Sequence, residues 1–395
     1  MFRKTVLFAL LTSLMLLVAP LSAQEETLTV LCTPQEDWCQ AITQAFEAET
    51  GIATSYVRLS SGEALARIRA SAEDPEFSVW WGGPADAYIA AAEEGLIESY
   101  ESPLAGELDQ RYVSEDYTWY GVYVGATGFC SNVQLLEEMG LEAPTSWEDL
   151  LNPELQGLVA MAHPATSGTA FTAFWTVITL EADKLEYPDG KPDAADAVDA
   201  TDEAAATEEA DATEEADAEV VEGTGLGYNE DGTPTQEAID NAFAYFAQLN
   251  NNILQYTRSG LASGPMAGRG EIAVAVIFSH DCVKFQVEGF EGVLTTTFPE
   301  EGTGFEIGGV GVLANGPEPE AARLFLDFAL SVEGQSTAQQ VNAFQIPTNP
   351  QTPISELAVD LTQLNLIDYN FLAAGALRTE LVERFDTEIA PQPVE

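Results

Sequence analysis

The sequence predicts an α/β fold, a mixed sheet flanked by helices. Three observations carry this: stretches of strand-like alternation are followed by stretches of three- and four-residue helical spacing, the order repeats, and glycine or Ser/Gly turns mark the joins. Parallel strands need crossovers, usually helices, so such alternation argues for a parallel or mixed sheet. At 46% hydrophobic and 9% aromatic, the 395 residues suffice for real cores.

Residues 1–23 read as a secretory signal, because Arg3 and Lys4 precede an apolar run from Val6 to Val18 that Ser22 and Ala23 close. The mature chain then starts near Gln24. The run is shorter than the roughly twenty residues that cross a bilayer, so a soluble mature protein is expected, with retention as an anchor the alternative. Thr27–Leu31 alternates as a strand, and Cys39, Ile42 and Phe46 mark a helix ending near Gly51. The pattern continues with a strand at Thr54–Leu59, a helix carrying Leu65, Ile68 and Ala72, a strand at Phe77–Trp81 and a helix at Ala85–Glu94. Further on, Gly121–Phe129 and Gly270–Ser279 read as apolar strands, and Ala321–Leu330 as an amphipathic helix with Leu324 and Phe328 on one face.

Residues 182–235 differ from their surroundings. Ala, Asp, Glu and Thr dominate, and ATEEADATEEADAE is a near repeat. Such a segment buries too little apolar surface to offset its ordering entropy, so a mostly disordered acidic insertion between two helices is expected. Its carboxylates lack the glycine turn and ligand order of a calcium loop.

The chain holds 14 basic and 65 acidic residues, a net charge of −51. Only thirteen of the acids fall in residues 193–222, so the folded body is acidic too. That field repels phosphate backbones and excludes a nucleic-acid binder. Four cysteines in an exported chain favour disulfides, and three pairings are open. A local Cys32–Cys39 bridge would leave Cys130 for Cys282, and four buried thiols is the other reading. Neither pair has zinc-site spacing, and no metal site is expected.

Four places share one design, a short hydroxyl- and glycine-rich turn between a strand and a helix: Ser60-Ser61-Gly62, Gly82-Gly83-Pro84, Thr166-Ser167-Gly168-Thr169 and Thr257-Arg258-Ser259-Gly260. Helix N-termini carry unpaired N–H groups and positive dipole, so they accept anions, and in an open α/β sheet they gather at the ligand edge. Each turn alone is equally what an ordinary helix cap looks like. Arg258 is a candidate anion clamp, with a surface ion pair as its alternative. His280 and Asp281, placed at a strand end, are candidates for holding polar solute groups. Ser279-His280-Asp281 is not read as a triad, because neighbours on an extended chain face opposite ways. His163 is assigned capping or packing. No P-loop, H-E-x-x-H or G-x-S-x-G occurs, so no enzyme and no cofactor are expected.

Several segments together resemble the exported solute-binding proteins of ATP-driven (ABC) importers, in the ferric-iron/AfuA-like branch. They are Val79–Tyr100, Tyr120–Phe129, ATSGTAF, QYTRSG, Gly268–Val274, His280–Phe290, Pro299–Leu313 and Gln345–Pro350. The resemblance implies a two-lobe periplasmic-binding-protein fold, type II-like, each lobe a mixed sheet flanked by helices with the cleft between. Lobe 1 would hold 24–125 with 300–395, and lobe 2 126–299 with the insertion. It further implies a monomer that captures a small anionic solute, sugar phosphate favoured, and delivers it to a membrane permease and its ATPase. Serines and glycines of the turns would hold the phosphate, and His280, Asp281 and Glu306 the sugar hydroxyls. Ferric-binding relatives use adjacent tyrosines, whereas the comparable region here has only Tyr369. A ferric-iron or other metal carrier is thus the runner-up, and an acidic extracellular cation-dependent interaction protein built on residues 193–222 is the reading from another class.

Overall fold

A computed structural model describes residues 26–191 and 223–393; the expected signal at 1–23 and the acidic tract at 193–222 lie outside the described residues. The strands are β1 (Thr27–Cys32), β2 (Ala53–Arg58), β3 (Val79–Pro84), β4 (Ile97–Glu98), β5 (Tyr120–Asn132), β6 (Val159–Ala162), β7 (Ile253–Thr257), β8 (Val274–Phe278), β9 (Leu294–Thr297), β10 (Phe305–Leu313) and β11 (Ile346–Pro347). The α-helices are α1 (Glu36–Thr50), α2 (Ser61–Ala70), α3 (Ala85–Glu93), α4 (Val133–Met139), α5 (Gly168–Glu186), α6 (Gln236–Leu249), α7 (Ser263–Gly268), α8 (Ser279–Phe285), α9 (Pro319–Leu330), α10 (Val332–Ser336) and α11 (Phe371–Glu388).

The mixed α/β architecture is the expected one. The main strand order is β2-β1-β3-β10-β5-β8-β6-β7. In one half β1 pairs in parallel with β2 and β3, and in the other β6 pairs in parallel with β7 and β8. The long strand β5 joins them: Tyr120–Ala126 pairs with β10, and Thr127–Ser131 pairs with β8. A buried thirteen-residue strand thus runs through both lobes, and the carboxyl ends of the parallel strands of both lobes face one cleft.

Each half owns a core. In the first, α1 buries Trp38, Cys39, Ile42 and Phe46, the spacing of one helical face, and Phe46 meets Phe325 and Phe328 of α9 at 5.2 and 5.7 Å. In the second, Phe174 of α5 packs edge-on against Phe243 and Phe246 of α6 and Phe385 of α11. Helix α11 touches both: Leu381 and Phe385 enter the second core, while Arg378 forms a buried ion pair with Asp86 of α3. Unpaired, either charge would be very costly there, and the Phe171 ring 4.1 Å from the guanidinium adds a cation–π contact. The cysteines form the bridges Cys32–Cys39 and Cys130–Cys282, the second tying β5 to α8.

Four sequence expectations need correction. The strand expected at Phe77–Trp81 runs from Val79 to Pro84, and the one expected at Gly270–Ser279 is confined to Val274–Phe278, because Gly270 turns with a positive φ of 72°. On α9 Leu324 is exposed, and the buried face is Ala322, Phe325, Leu326 and Ala329. The insertion is also narrower than 182–235. Helix α5 continues to Glu186, whose carboxylate accepts the N–H groups of Gly225 and Gly227 at 3.1 and 3.0 Å, and Tyr228 donates to Asp183 at 2.7 Å. These bonds hold residues 223–235 against the second lobe. Among the described residues no helix is long and apolar enough to cross a membrane.

Candidate functional site

A cleft of about 400 Å³ opens between the lobes, a volume suited to a small solute. From the first lobe it is lined by the segments that follow β1, β2 and β3: Thr33, Pro34, Gln35, then Arg58, Ser60 and Ser61, then Gly83 and Pro84. The second lobe contributes Ser167, Gly168 and Thr169 at the start of α5, Ser259 and Gly260 after β7, and Phe278, His280 and Asp281 where β8 runs into α8. Tyr123 and Glu306 come from the crossing strands, and Gln345 from the segment before β11. Tyr123 Oη accepts the Gly83 N–H at 2.9 Å, which holds this wall against β5.

Gly168 and Thr169 are the first two residues of α5, so their N–H groups have no acceptor within the helix. At α2 part of the donor set is already used. The Ser60 N–H donates to Glu63 at 3.2 Å, and the Gly62 N–H donates to the Thr166 carbonyl at 3.0 Å. Gly62 and Thr166, both expected at the solute, instead join the lobes backbone to backbone and do not line the cleft. Arg258 also falls outside it, since Glu63 of the opposite lobe takes its guanidinium at 2.8 Å. The Arg258 carbonyl lies 3.1 Å from Ser60 Oγ, so this segment is part of the seam. A second seam contact is Lys284, which donates to Asp37 at 2.7 Å and to the Val341 carbonyl at 2.6 Å.

The cation that does line the cleft is Arg58, which sequence reasoning passed over. Its guanidinium donates to the Thr33 and Pro34 carbonyls at 3.3 and 3.0 Å and to Ser259 Oγ at 3.4 Å. Burial lowers its pKa, opposed first by Asp281. Its signal was its place as the last residue of β2, two positions before the Ser60 cap. Gln35, Tyr123 and Gln345 carried no such signal. They meet through chain crossings, with Gln345 donating to Gln35 at 3.4 Å and Gln35 donating to Asp281.

His280 and Asp281 open helix α8 rather than ending an extended strand. One helical step separates them, which lets both side chains reach the cleft while Ser279 does not line it. His280 Nε2 stands 3.7 Å from Glu306 Oε1 and 3.8 Å from Asp281 Oδ1, and its ring stacks on Phe278 at 5.3 Å. Burial pushes the imidazole down to about 3 and the Asp281 carboxyl up to about 7. Burial, and then the neighbouring Asp281 and Asp86, holds Glu306 well above the usual carboxylate range. At neutral pH this wall therefore offers hydrogen-bonding groups with little negative charge. Tyr369 is buried and outside the cleft lining, so it offers no tyrosinate to a bound metal there.

The raised Asp281 pKa gives a signed expectation. The folded chain keeps this proton up to about 7, whereas an unfolded aspartate loses it near pH ~4, so its stabilising contribution is complete below ~4 and lost as pH rises to about 7. Asp281→Asn keeps an acceptor for Gln35 and does not titrate. Chemical denaturation from pH 5 to 8 is expected to show a smaller loss of stability in the variant, by up to about 1.4 kcal/mol per pH unit. Parallel curves would contradict the buried-proton account.

His163 is fully buried, and its ring packs edge-on against Phe385 at 5.1 Å, so the expected packing role is seen.

Comparison with known proteins adds three findings. The family described as bacterial extracellular solute-binding protein matches residues 41–358. An uncharacterised protein of Haemophilus influenzae is 31% identical over 371 residues, covering 92% of this chain and 90% of that one. The periplasmic binding protein AfuA from Actinobacillus pleuropneumoniae, with exogenous fructose-6-phosphate bound, superposes with a TM-score of 0.75 at 32% identity, over 92% of this chain and 99% of that one. A second solved structure, the periplasmic binding protein P5PA, gives 0.74 at 27% identity, over 92% of this chain and all of that one.

Proposed function

This chain belongs to the bacterial extracellular solute-binding proteins, and from that premise we propose that it is exported and captures a small phosphorylated solute, a sugar phosphate, for an ATP-driven importer. The observation that carries this reading is the two-sided cleft. Arg58, Ser60, Ser61, Ser167, Gly168, Thr169 and Ser259 supply cationic, hydroxyl and helix-terminal donors, while Gln35, His280, Asp281 and Glu306 supply a weakly charged polar wall. The first set suits a phosphate and the second a polyol. AfuA, the relative with fructose-6-phosphate bound, supports the same assignment.

The donors come from both lobes, so a solute that touches all of them adds contacts available only when the lobes are together. Binding then shifts the population toward the closed form. A permease and its ATPase would read that form. Carrying rather than converting the solute follows from the family, and a ferric carrier is left without its tyrosine in the cleft.

Calorimetric titration tests the proposal with fructose 6-phosphate, fructose and inorganic phosphate. The ester is expected to bind at least ~100-fold more tightly than the free sugar, the worth of two or more charge-assisted hydrogen bonds. Equal or absent binding of ester and sugar rejects the phosphate assignment. Tight binding of inorganic phosphate alone would reject the sugar half of it.

A further inference from the structure

The solute-facing turn at the start of α5 is built around one histidine that never reaches the solute. The His163 carbonyl accepts the N–H groups of Thr166 and Ser167 at 3.1 and 2.9 Å, and its own N–H donates to the Thr257 carbonyl at 2.8 Å. Its ring makes two further bonds of opposite kind. Nδ1 accepts the Ala165 N–H at 3.2 Å, and Nε2 lies 2.9 Å from the Ala390 carbonyl. A carbonyl only accepts, and an amide N–H only donates. The ring is therefore the neutral tautomer with its proton on Nε2, and both nitrogens are committed.

Ala390 belongs to the short segment after α11. That segment is itself folded onto the helix end: the Ala390 N–H donates to the Phe385 carbonyl at 3.1 Å, and Gln392 donates to Asp386 at 2.6 Å. Asp386 Oδ1 also stands 3.3 Å from His163 Nε2. One imidazole thus bolts the chain's C-terminal segment to the loop that presents Ser167, Gly168 and Thr169 to the cleft.

We infer that His163 is a positioning residue: it transmits the docking of residues 386–390 to the solute-facing turn and holds that turn in its donating geometry. The effect on affinity rests on the proposed solute site, whereas the effect on the turn does not. The two ring bonds separate by substitution. Asn places an oxygen where Nδ1 lies and keeps the bond to Ala165 as an Asx-turn, without reaching Ala390. Gln reaches toward Ala390 with an amide donor and leaves the Ala165 N–H without its acceptor.

Amide hydrogen exchange on the solute-free mature protein, with fructose 6-phosphate titration alongside, tests the inference. In His163→Gln the amides of residues 165–169 are expected to exchange faster and the ester to bind about tenfold more weakly, the worth of one buried hydrogen bond. In His163→Asn, exchange is expected to speed first at residues 386–393, with the turn closer to native. Native exchange at 165–169 in His163→Gln overturns the inference. If both variants fail to fold, the native-ring chain ending at Ile389 decides: it lacks the carbonyl, and unchanged exchange at 165–169 there also overturns it. A loosened turn with native ester affinity would instead sink the solute assignment of the turn and leave the role of His163 standing.

Discussion

Gly62→Ala is expected to leave the solute-free protein folded and to abolish tight solute capture. Gly62 lies in the first turn of α2, where alanine normally favours a helix over glycine by about 0.5–1 kcal/mol. A Cβ at this position would stand 2.1 Å from the Ala165 carbonyl oxygen and 2.8 Å from the Thr166 carbonyl carbon. Both atoms are backbone of the opposite lobe and cannot rotate aside. The added methyl therefore favours the helix but forces the lobes apart, and the bond from the Gly62 N–H to Thr166 is lost with the closed form. The melting temperature without solute should be unchanged or higher, and affinity for fructose 6-phosphate should fall at least ~100-fold, about 2.7 kcal/mol. Small-angle scattering should show no compaction on adding the ester. Native affinity in this variant would mean that solute capture does not require the contact seen here. Gly168→Ala should act in the same direction but more weakly, because its Cβ would meet the Pro84 ring at 2.4 Å, a side chain with some room to shift.

The largest expected loss of stability comes from opening Cys130–Cys282. This bridge spans 152 residues and ties the crossing strand β5 to α8. On the chain-entropy account, closing a loop of that length is worth roughly 5 kcal/mol, against roughly 2–3 kcal/mol for the seven-residue separation of Cys32 and Cys39. Replacing Cys130 and Cys282 by alanine should therefore lower the denaturation midpoint well beyond the other double replacement. It should also weaken solute binding, because α8 carries His280 and Asp281 immediately before Cys282. Equal losses from the two pairs would reject loop entropy as the source, and full affinity without the long bridge would show that α8 holds its geometry unaided.

The two results would bear on different levels of the molecule, and the sequence was legible to different depths at each. Strands and helices up to Glu93 were readable because their signals are local: alternation in Thr27–Cys32, the Cys39–Ile42–Phe46 stripe and the Ser60 cap each lie within a few residues. Errors arose where a partner overrode the local pattern. The hydrophobic run Gly270–Ser279 looked like one strand, yet its first residues turn and its last begins α8. Residues 223–235 looked featureless, yet Glu186 supplies acceptors for their backbone.

The candidate site divides in the same way. Serine, glycine and threonine at helix starts were identifiable from the chain alone, since capping chemistry is written in consecutive residues. Choosing between Arg58 and Arg258 was not, because both stand beside a Ser/Gly turn and the choice depends on Glu63, which lies in the opposite lobe and captures one of them. The neutral character of His280 and Glu306 was equally invisible, because ionisation answers to burial and to neighbours such as Asp86 that are remote in sequence. Short-range covalent geometry and side-chain periodicity set the elements and the turns of this protein. Which donors face the cleft, which bind the lobes together and which carboxyls keep their protons were decided only when distant segments removed one another from water, because solvation and charge pairing are properties of the assembled surface.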